Sequence, residues 1–395
     1  MRERVVCVMA RVLDQDDGLY VYSYNLLEQL LELDTESRYL ILLRSDKRAR
    51  LFERFENADV RIVSAPKTVW DQLVVPFVAW RNGANLIFNP KFSLPLIWTR
   101  AATFVLQGSD WYVNPQNYPW WDNVYIRMTM PLYLRKAEQV LAISQTVVDD
   151  LSRYLKLDRS KTVISYAAPG PGFTPQRDEE AIARFREAYG LPERFILTVA
   201  RSYHTGHGRM PEYPGGNNER LLRGYRLYRE RGGSLPLVVA GKGIDAYLRA
   251  RGFGDRELED VVFTGFVPHE RIPLLYQLAE LFVLATLNES FGFPIVEAMA
   301  CGCPVIAPST GACSEVGGSA IRLIDPFDIE SIAGAMLELE RSPEIRAAMR
   351  GAGLEAVRRF SWKETARRTL AVFDALVPPP VRVARKGAPE EPVRQ

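Results

Sequence analysis

The chain has 395 residues, 47% of them hydrophobic and 25% charged, with a formal net charge of +2. That balance describes a soluble globular protein with ample core, and the charge is too small to point to nucleic acid as a partner. The length fits two domains of roughly 150–200 residues each, and no apolar run approaches the ~20 residues needed to span a bilayer.

In chain order, Val5-Val-Cys-Val-Met-Ala10 is too short for a signal peptide core with its cleavage site and reads as a first buried strand. Gly18, in Asp16-Asp-Gly-Leu-Tyr20, opens a helical pattern over Tyr20–Leu33. Further apolar runs follow at Tyr39–Leu43, Val60–Val63, Leu86–Phe88, Thr103–Leu106, Val140–Ile143 and Val163–Ser165, with a helical pattern at Gln145–Leu155. This alternation argues for a parallel sheet covered by helices. The first half also holds Trp70, Trp80, Trp98, Trp111, Trp120 and Trp121. Indoles stack on sugar faces, which suits a saccharide acceptor, and they equally suit core packing. Arg127 and Arg135-Lys136 follow Pro119-Trp-Trp121 on a helical pattern. Such a helix suits an anionic membrane surface or an ordinary solvated face.

Ala168-Pro-Gly-Pro-Gly-Phe-Thr-Pro175 is dense in breakers and reads as a linker. A second alternating series begins at Phe195–Val199 and continues through Leu237–Ala240, Val261–Thr264, Leu281–Ala285 and Pro304–Ala307, with a helix at Asn218–Glu230. We therefore expect an N-terminal Rossmann-like domain over 1–170, a second over 171–376, and a Pro- and charge-rich tail over 377–395. Ligands in such a fold sit at the carboxyl ends of the strands, in the cleft between the domains. Cys7, Cys301, Cys303 and Cys313 lack the paired spacing of a zinc site, and with only three histidines no metal site is expected. Buried reduced thiols suit a reducing, cytoplasmic compartment.

The strongest chemical signal is Glu289-Ser-Phe-Gly-Phe-Pro-Ile-Val-Glu297. It follows the strand Leu281–Ala285 and runs into a helix over Pro294–Cys301, with Pro at its first position and Gly302 past its end. A helix N-terminus presents unpaired N–H groups to an anionic phosphate, and Gly292 lets backbone approach a ligand. Glu289, before the turn, can accept hydrogen bonds from sugar hydroxyls. Glu297, in the first helical turn, can take both hydroxyls of a ribose, since a carboxylate offers two oxygens to two donors. The loop as a whole, Ser290, Phe291, Gly292, Phe293 and Val296, is the expected donor-binding segment.

These residues resemble a known family, the retaining GT-B-fold glycosyltransferases with two glutamates seven residues apart. The resemblance extends to Thr264-Gly-Phe-Val-Pro268, Ala279-Glu-Leu-Phe-Val283, Ala298-Met-Ala-Cys-Gly-Cys-Pro-Val305, Glu315-Val-Gly-Gly318 and Phe360-Ser-Trp362, and is close from about Phe195 to Leu376. It implies transfer of a hexose-type sugar from a GDP- or UDP-linked donor to a saccharide or lipid-linked acceptor, with retention and without a metal. Surface polysaccharide assembly and a cytoplasmic location, with possible contact at the inner membrane face, go with it. Arg201 resembles the family's arginine on the donor diphosphate, with Lys242 as a second cation. Phe266 and Val267 occupy the place where relatives hold the nucleobase, and Gly18 resembles the glycine-rich turn beside the phosphates.

Two positions depart from the family pattern. Gly216-Asn217 stands where relatives carry Lys-Asn, and Gln107 where they often carry histidine. Gln107 and Asp110 are therefore expected to position acceptor or sugar rather than to move a proton. Other readings of the same fold are a non-catalytic nucleotide-sugar binder and a nucleotide-sugar epimerase. A nicotinamide-dependent oxidoreductase is disfavoured because no G-x-G-x-x-G follows the first strand.

Overall fold

The computed structural model describes residues 3–15, 18–200 and 216–379. Two parallel sheets carry the fold. The first comprises β1 (Val5–Met9), β2 (Arg38–Leu43), β3 (Ala58–Ile62), β4 (Leu86–Asn89), β5 (Ala101–Leu106), β6 (Val140–Ala142) and β7 (Thr162–Ile164), in the order β3-β2-β1-β4-β5-β6-β7. The second comprises β8 (Ile196–Val199), β9 (Leu237–Ala240), β10 (Val261–Gly265), β11 (Leu281–Val283), β12 (Val305–Pro308) and β13 (Arg322–Ile324), in the order β10-β9-β8-β11-β12-β13. This is the GT-B arrangement of two Rossmann-like domains.

Central strands read as apolar runs because helices cover both faces of each sheet. All five residues of β1 are buried, and Val6 sits in register between Tyr39 and Leu86. In the second sheet, Ile196, Leu281, Val283 and Ile306 pack into a core on one face. Their neighbours Leu197, Phe282 and Val305 pack on the other face, in a core continuous with that of the first domain. The period of two is the pleat of the strand. The edge strand β13 pairs with β12 through Ile306 and Arg322. It is a three-residue Arg-Leu-Ile segment without an apolar run, so the sequence gives no strand there.

The helices that matter for the site are α1 (Gly18–Leu33), α2 (Trp120–Lys136), α3 (Gln145–Tyr154), α4 (Asn218–Glu230), α5 (Phe293–Ala300) and α6 (Trp362–Leu376). The chain crosses back at its end. Expected as part of the second domain, α6 lies instead on the first: Trp362 meets Tyr22 of α1 edge-on at 5.5 Å, and Phe373 meets Phe88 of β4 at 5.1 Å. Arg4, almost fully buried, ties the arrangement together. It donates to Asp34 at 2.8 Å and to Ser37 at 2.6 Å, and it pairs with Asp374 of α6. Arg4 also donates to the carbonyl of Val377 at 3.4 Å, so the first residue of the expected tail is anchored. Residues 380–395 lie outside the described residues.

One carboxylate gives the fold a specific acid response. Glu340 accepts from the Tyr228 hydroxyl at 2.5 Å and from the Ser234 amide at 3.1 Å. Burial alone would raise its pKa, but the hydrogen bonds from Ser234 and Tyr228 outweigh it and hold Glu340 below its ordinary value. A depressed folded pKa means stability that is present above the unfolded value and lost as pH falls through the folded one. The melting temperature should therefore fall with pH below the ordinary glutamate range near 4.5, and Glu340→Gln should flatten that part of the profile. A variant profile parallel to wild type would exclude this carboxylate as a source of the acid sensitivity.

Candidate functional site

Each sheet reverses its strand order beside its first strand, so the loops after β1 and β4 in one domain and after β8 and β11 in the other flank the natural ligand crevices. Contacts across the cleft bring these edges together. Ser144, the residue before α3, donates from its hydroxyl to the Ser290 carbonyl at 2.6 Å. Asn288 donates to Asp110 at 3.1 Å. A Cβ at Gly108 would sit 2.9 Å from the Ser290 hydroxyl, so the two loops approach closely there.

Glu315 makes the densest of these contacts. Its carboxylate accepts from the backbone N–H of Gln145 at 2.7 Å and of Thr146 at 2.8 Å, and from the Thr146 hydroxyl at 2.6 Å. A carboxylate of the second domain thus fills the positive N-terminus of a first-domain helix. Burial and the adjacent Glu315 push the Tyr166 phenol up to about 12. Tyr166 also belongs to an aromatic cluster with Phe291 and Phe360, which closes the cleft floor behind the Glu289 loop.

The Glu289 loop has the expected architecture. Gly292 adopts a left-handed conformation (φ 91°, ψ 58°) and caps α5, with Pro294 in the first helical turn and Gly302, also at positive φ, past its end. Glu289 follows β11, and its backbone is seated by the next strand's loop. A Cβ at Gly311 (φ +62°) would lie 2.5 Å from the Glu289 carbonyl oxygen and 2.6 Å from its nitrogen. The Ala312 amide donates to that carbonyl at 2.8 Å. Glu297 is buried on α5, with the Tyr276 hydroxyl donating to it at 3.4 Å. Burial, and then the Glu297 charge, hold the Tyr276 phenol well above its ordinary value, so it remains a donor to the carboxylate. Val296 and Phe291 are buried in the core, which leaves the backbone as their means of bordering a ligand. Phe293 is partly buried and stacks on Trp362 at 6.4 Å.

Of the other expected donor groups, Lys242, Phe266 and Val267 follow strands of the second sheet. Lys242 lies exposed between Gly241 and Gly243 at the end of β9. A Cβ at Gly241 would stand 2.3 Å from the Ala200 carbonyl, so the chain just past β9 touches the chain just past β8. Arg201 comes next after Ala200 and lies outside the described residues. Phe266, after β10, is 70% exposed and offers a bare aromatic face, while Val267 beside it is buried. Gly18 is the first residue of α1, at the exit from the first domain's reversal point.

Gln107 and Asp110 are already engaged by the protein. The Gln107 side chain is buried and donates to the Pro90 carbonyl, steadying the loop after β4. Asp110 accepts from Asn114 at 2.7 Å and from the Tyr118 hydroxyl at 2.8 Å, besides its bond from Asn288. Both side chains thus hold loops that border the cleft.

Sequence reasoning named Asn217 only beside Gly216 and did not single out Gly311, Thr286 or Thr310. Asn217, next to the departure at Gly216, is buried and donates to the carbonyls of Ala285 at 2.9 Å and Pro326 at 2.6 Å. It thereby clamps the loop after β11 to the loop after β13. Gly311 could have been suspected from the Ser-Thr-Gly turn cue after β12. The buried hydroxyls of Thr286 and Thr310, past β11 and β12, make no hydrogen bond among the described residues. At the ligand edge of a sheet, such hydroxyls are natural partners for a polar ligand.

Residues 216–355 match the family of glycosyl transferases group 1. Over 312 residues, covering 75% of this chain and 77% of the other protein, the sequence is 26% identical to O-antigen chain mannosyltransferase B of Escherichia coli. It is 27% identical over 248 residues to the serotype-specific mannosyltransferase WbdA of Escherichia coli, where the match covers 61% of this chain but only 29% of that much longer protein. Among solved structures, Anabaena HepE in complex with UDP and glucose superposes with a TM-score of 0.71 at 16% identity, covering 95% of this chain and all of that one.

Proposed function

We propose, from the match of residues 216–355 to the family of glycosyl transferases group 1, that this chain transfers a hexose from a nucleotide-diphosphate sugar to a hydroxyl of a saccharide or lipid-linked saccharide. The observation that carries this reading is the Glu289 loop. A left-handed glycine caps α5 at the ligand edge of the second sheet, flanked by one half-buried and one buried glutamate, with the first domain's loops packed against it.

The donor would lie along that edge. Phe266 suits the base, Glu297 the ribose diol, and the amides from Phe291 to Phe293 suit the diphosphate, together with Lys242 and Arg201. Glu289 would accept the sugar hydroxyls. As the bond to the diphosphate breaks, negative charge develops on the leaving oxygen, and fixed donors aimed there stabilise it more than bulk water would. Transfer with retention follows if that oxygen takes the proton of the incoming hydroxyl on the face it leaves. UDP in the Anabaena relative and mannosyl transfer in the Escherichia coli relatives support a UDP- or GDP-linked donor and a surface glycan as product. Four buried, unbridged cysteines fit a cytoplasmic place of action, with burial pushing Cys301 up to about 12 and out of thiolate chemistry.

Calorimetric titration with UDP, GDP, ADP and dTDP, then with their sugar conjugates, tests the donor site. We expect selective binding of one nucleotide, weakened at least about tenfold by Glu297→Ala, the range for a lost charged hydrogen bond. Failure of every nucleotide to bind would overturn the reading.

A further inference from the structure

Tyr276 is a large buried side chain with a polar end, and the proposed transfer chemistry does not use it. It sits on the helix Ile272–Leu278, which touches α5. The Pro-Gly linker and the residues after it grip that helix from another side. Gln277 donates to the carbonyls of Thr174 at 2.7 Å and Gln176 at 2.9 Å, and Arg177 donates to the Gln277 carbonyl at 2.7 Å. The Tyr276 side chain is 1% exposed. Its ring meets Phe282 of β11 edge-on at 5.2 Å and Phe173 of the linker at 6.2 Å. Strand and linker together fix the ring, and its hydroxyl reaches Oε2 of Glu297 at 3.4 Å.

That contact has a direction, because the protonated phenol donates and the carboxylate can only accept. A carboxylate offers about four lone-pair sites, so one bond from Tyr276 leaves room for both hydroxyls of a diol. What the bond restricts is rotation. The terminal torsion of a glutamate is broad, so an unheld carboxylate presents its oxygens in no fixed plane. Held at Oε2, it is aimed before a ligand arrives, which lowers the ordering cost of binding. Packing alone does not call for this hydroxyl. A phenylalanine would fill the same space against Phe282 and Phe173 without burying a polar atom.

We propose that Tyr276 is a positioning residue that orients Glu297 for a vicinal diol, and so sets the preference of the site for ribonucleotides over 2′-deoxyribonucleotides. The proposal rests on the assignment of Glu297 to the ribose in the transferase reading.

Calorimetric titration of the full chain with UDP, GDP and their 2′-deoxy analogues tests it. Wild type should prefer the ribose form of the nucleotide it selects. Tyr276→Phe should weaken that form about tenfold, the range for a lost hydrogen bond to a charged group. The 2′-deoxy form should change by less than about threefold, so the preference collapses. Lost core packing would weaken both forms alike. Tyr225→Phe is the control: its buried hydroxyl donates to the carbonyls of Leu235 at 3.3 Å and Asp260 at 3.1 Å, and the ratio should stay at its wild-type value. Glu297→Ala combined with Tyr276→Phe should bind as Glu297→Ala alone does, since a residue that acts through another adds nothing once that other is gone. In steady-state transfer, Tyr276→Phe should raise KM for the nucleotide sugar and leave kcat within about threefold of wild type. An unchanged preference in Tyr276→Phe, or fully additive losses in the double variant, would overturn the proposal and leave the transferase reading standing. Failure of wild type to bind any of these nucleotides would overturn both.

Discussion

Replacing Glu289 with glutamine is expected to lower the rate of sugar transfer by about a hundred- to a thousand-fold, the range for removing one preorganised polar group from a transition-state site. The same change should leave affinity for the bare nucleotide diphosphate within about threefold. The reasoning rests on where the residue stands. Glu289 leaves β11 at the point where the second sheet meets the first domain, with Asn288 before it bonded to Asp110 and Ser290 after it bonded to Ser144. Its side chain is therefore carried on backbone held from both sides, and glutamine keeps the shape while losing the charge that attracts hydroxyl donors. Comparing steady-state transfer with calorimetric affinity for the nucleotide separates the two effects. If Glu289→Gln and Glu297→Ala weaken bare-nucleotide binding equally, the division of labour between sugar and ribose is wrong.

The second large effect is expected at a residue with no side chain. Gly311→Ala would drive a methyl group to 2.5 Å from the Glu289 carbonyl oxygen, at a backbone position (φ +62°) that alanine already disfavours. Backbone cannot swing aside as a long side chain can, so either the β12 loop or the Glu289 loop must move. A cost of about 3 kcal/mol or more is reasonable for a clash combined with left-handed strain. The prediction is a lower melting temperature together with a loss of transfer comparable to that of Glu289→Gln. Gly334→Ala is the control, because a Cβ there meets nothing within 4 Å. A Gly311→Ala protein with wild-type stability and activity would show that the close approach is not maintained in solution.

The frame of this protein was readable from sequence because its central strands are buried on both faces. Runs such as Val5–Met9 and Leu237–Ala240 have no polar side to blur them. The Glu289 loop was readable because its determinants are local: a glycine at positive φ, a proline in the first turn and a glycine at the end all lie within a dozen residues. What escaped is long-range. Asn217 acts on carbonyls 68 and 109 residues away, and Glu315 caps a helix 169 residues earlier. Gln107 carried a chemical cue that the fold spends on the Pro90 carbonyl. No spacing rule exposes a partner that only tertiary folding brings near.

The return of α6 to the first domain limits how such a chain can be recombined. Buried Arg4 pairs with the half-exposed Asp374 of α6, and Thr365 and Arg368 bond the carbonyls of Tyr166 and Ile164. The second domain is consequently an insertion within the first, with two junctions, one near the Pro-Gly stretch and one before Phe360. Exchange of second domains between relatives, in evolution or in the laboratory, has to respect both seams. A single crossover at residue 170 would graft a foreign last helix onto the native face of α1.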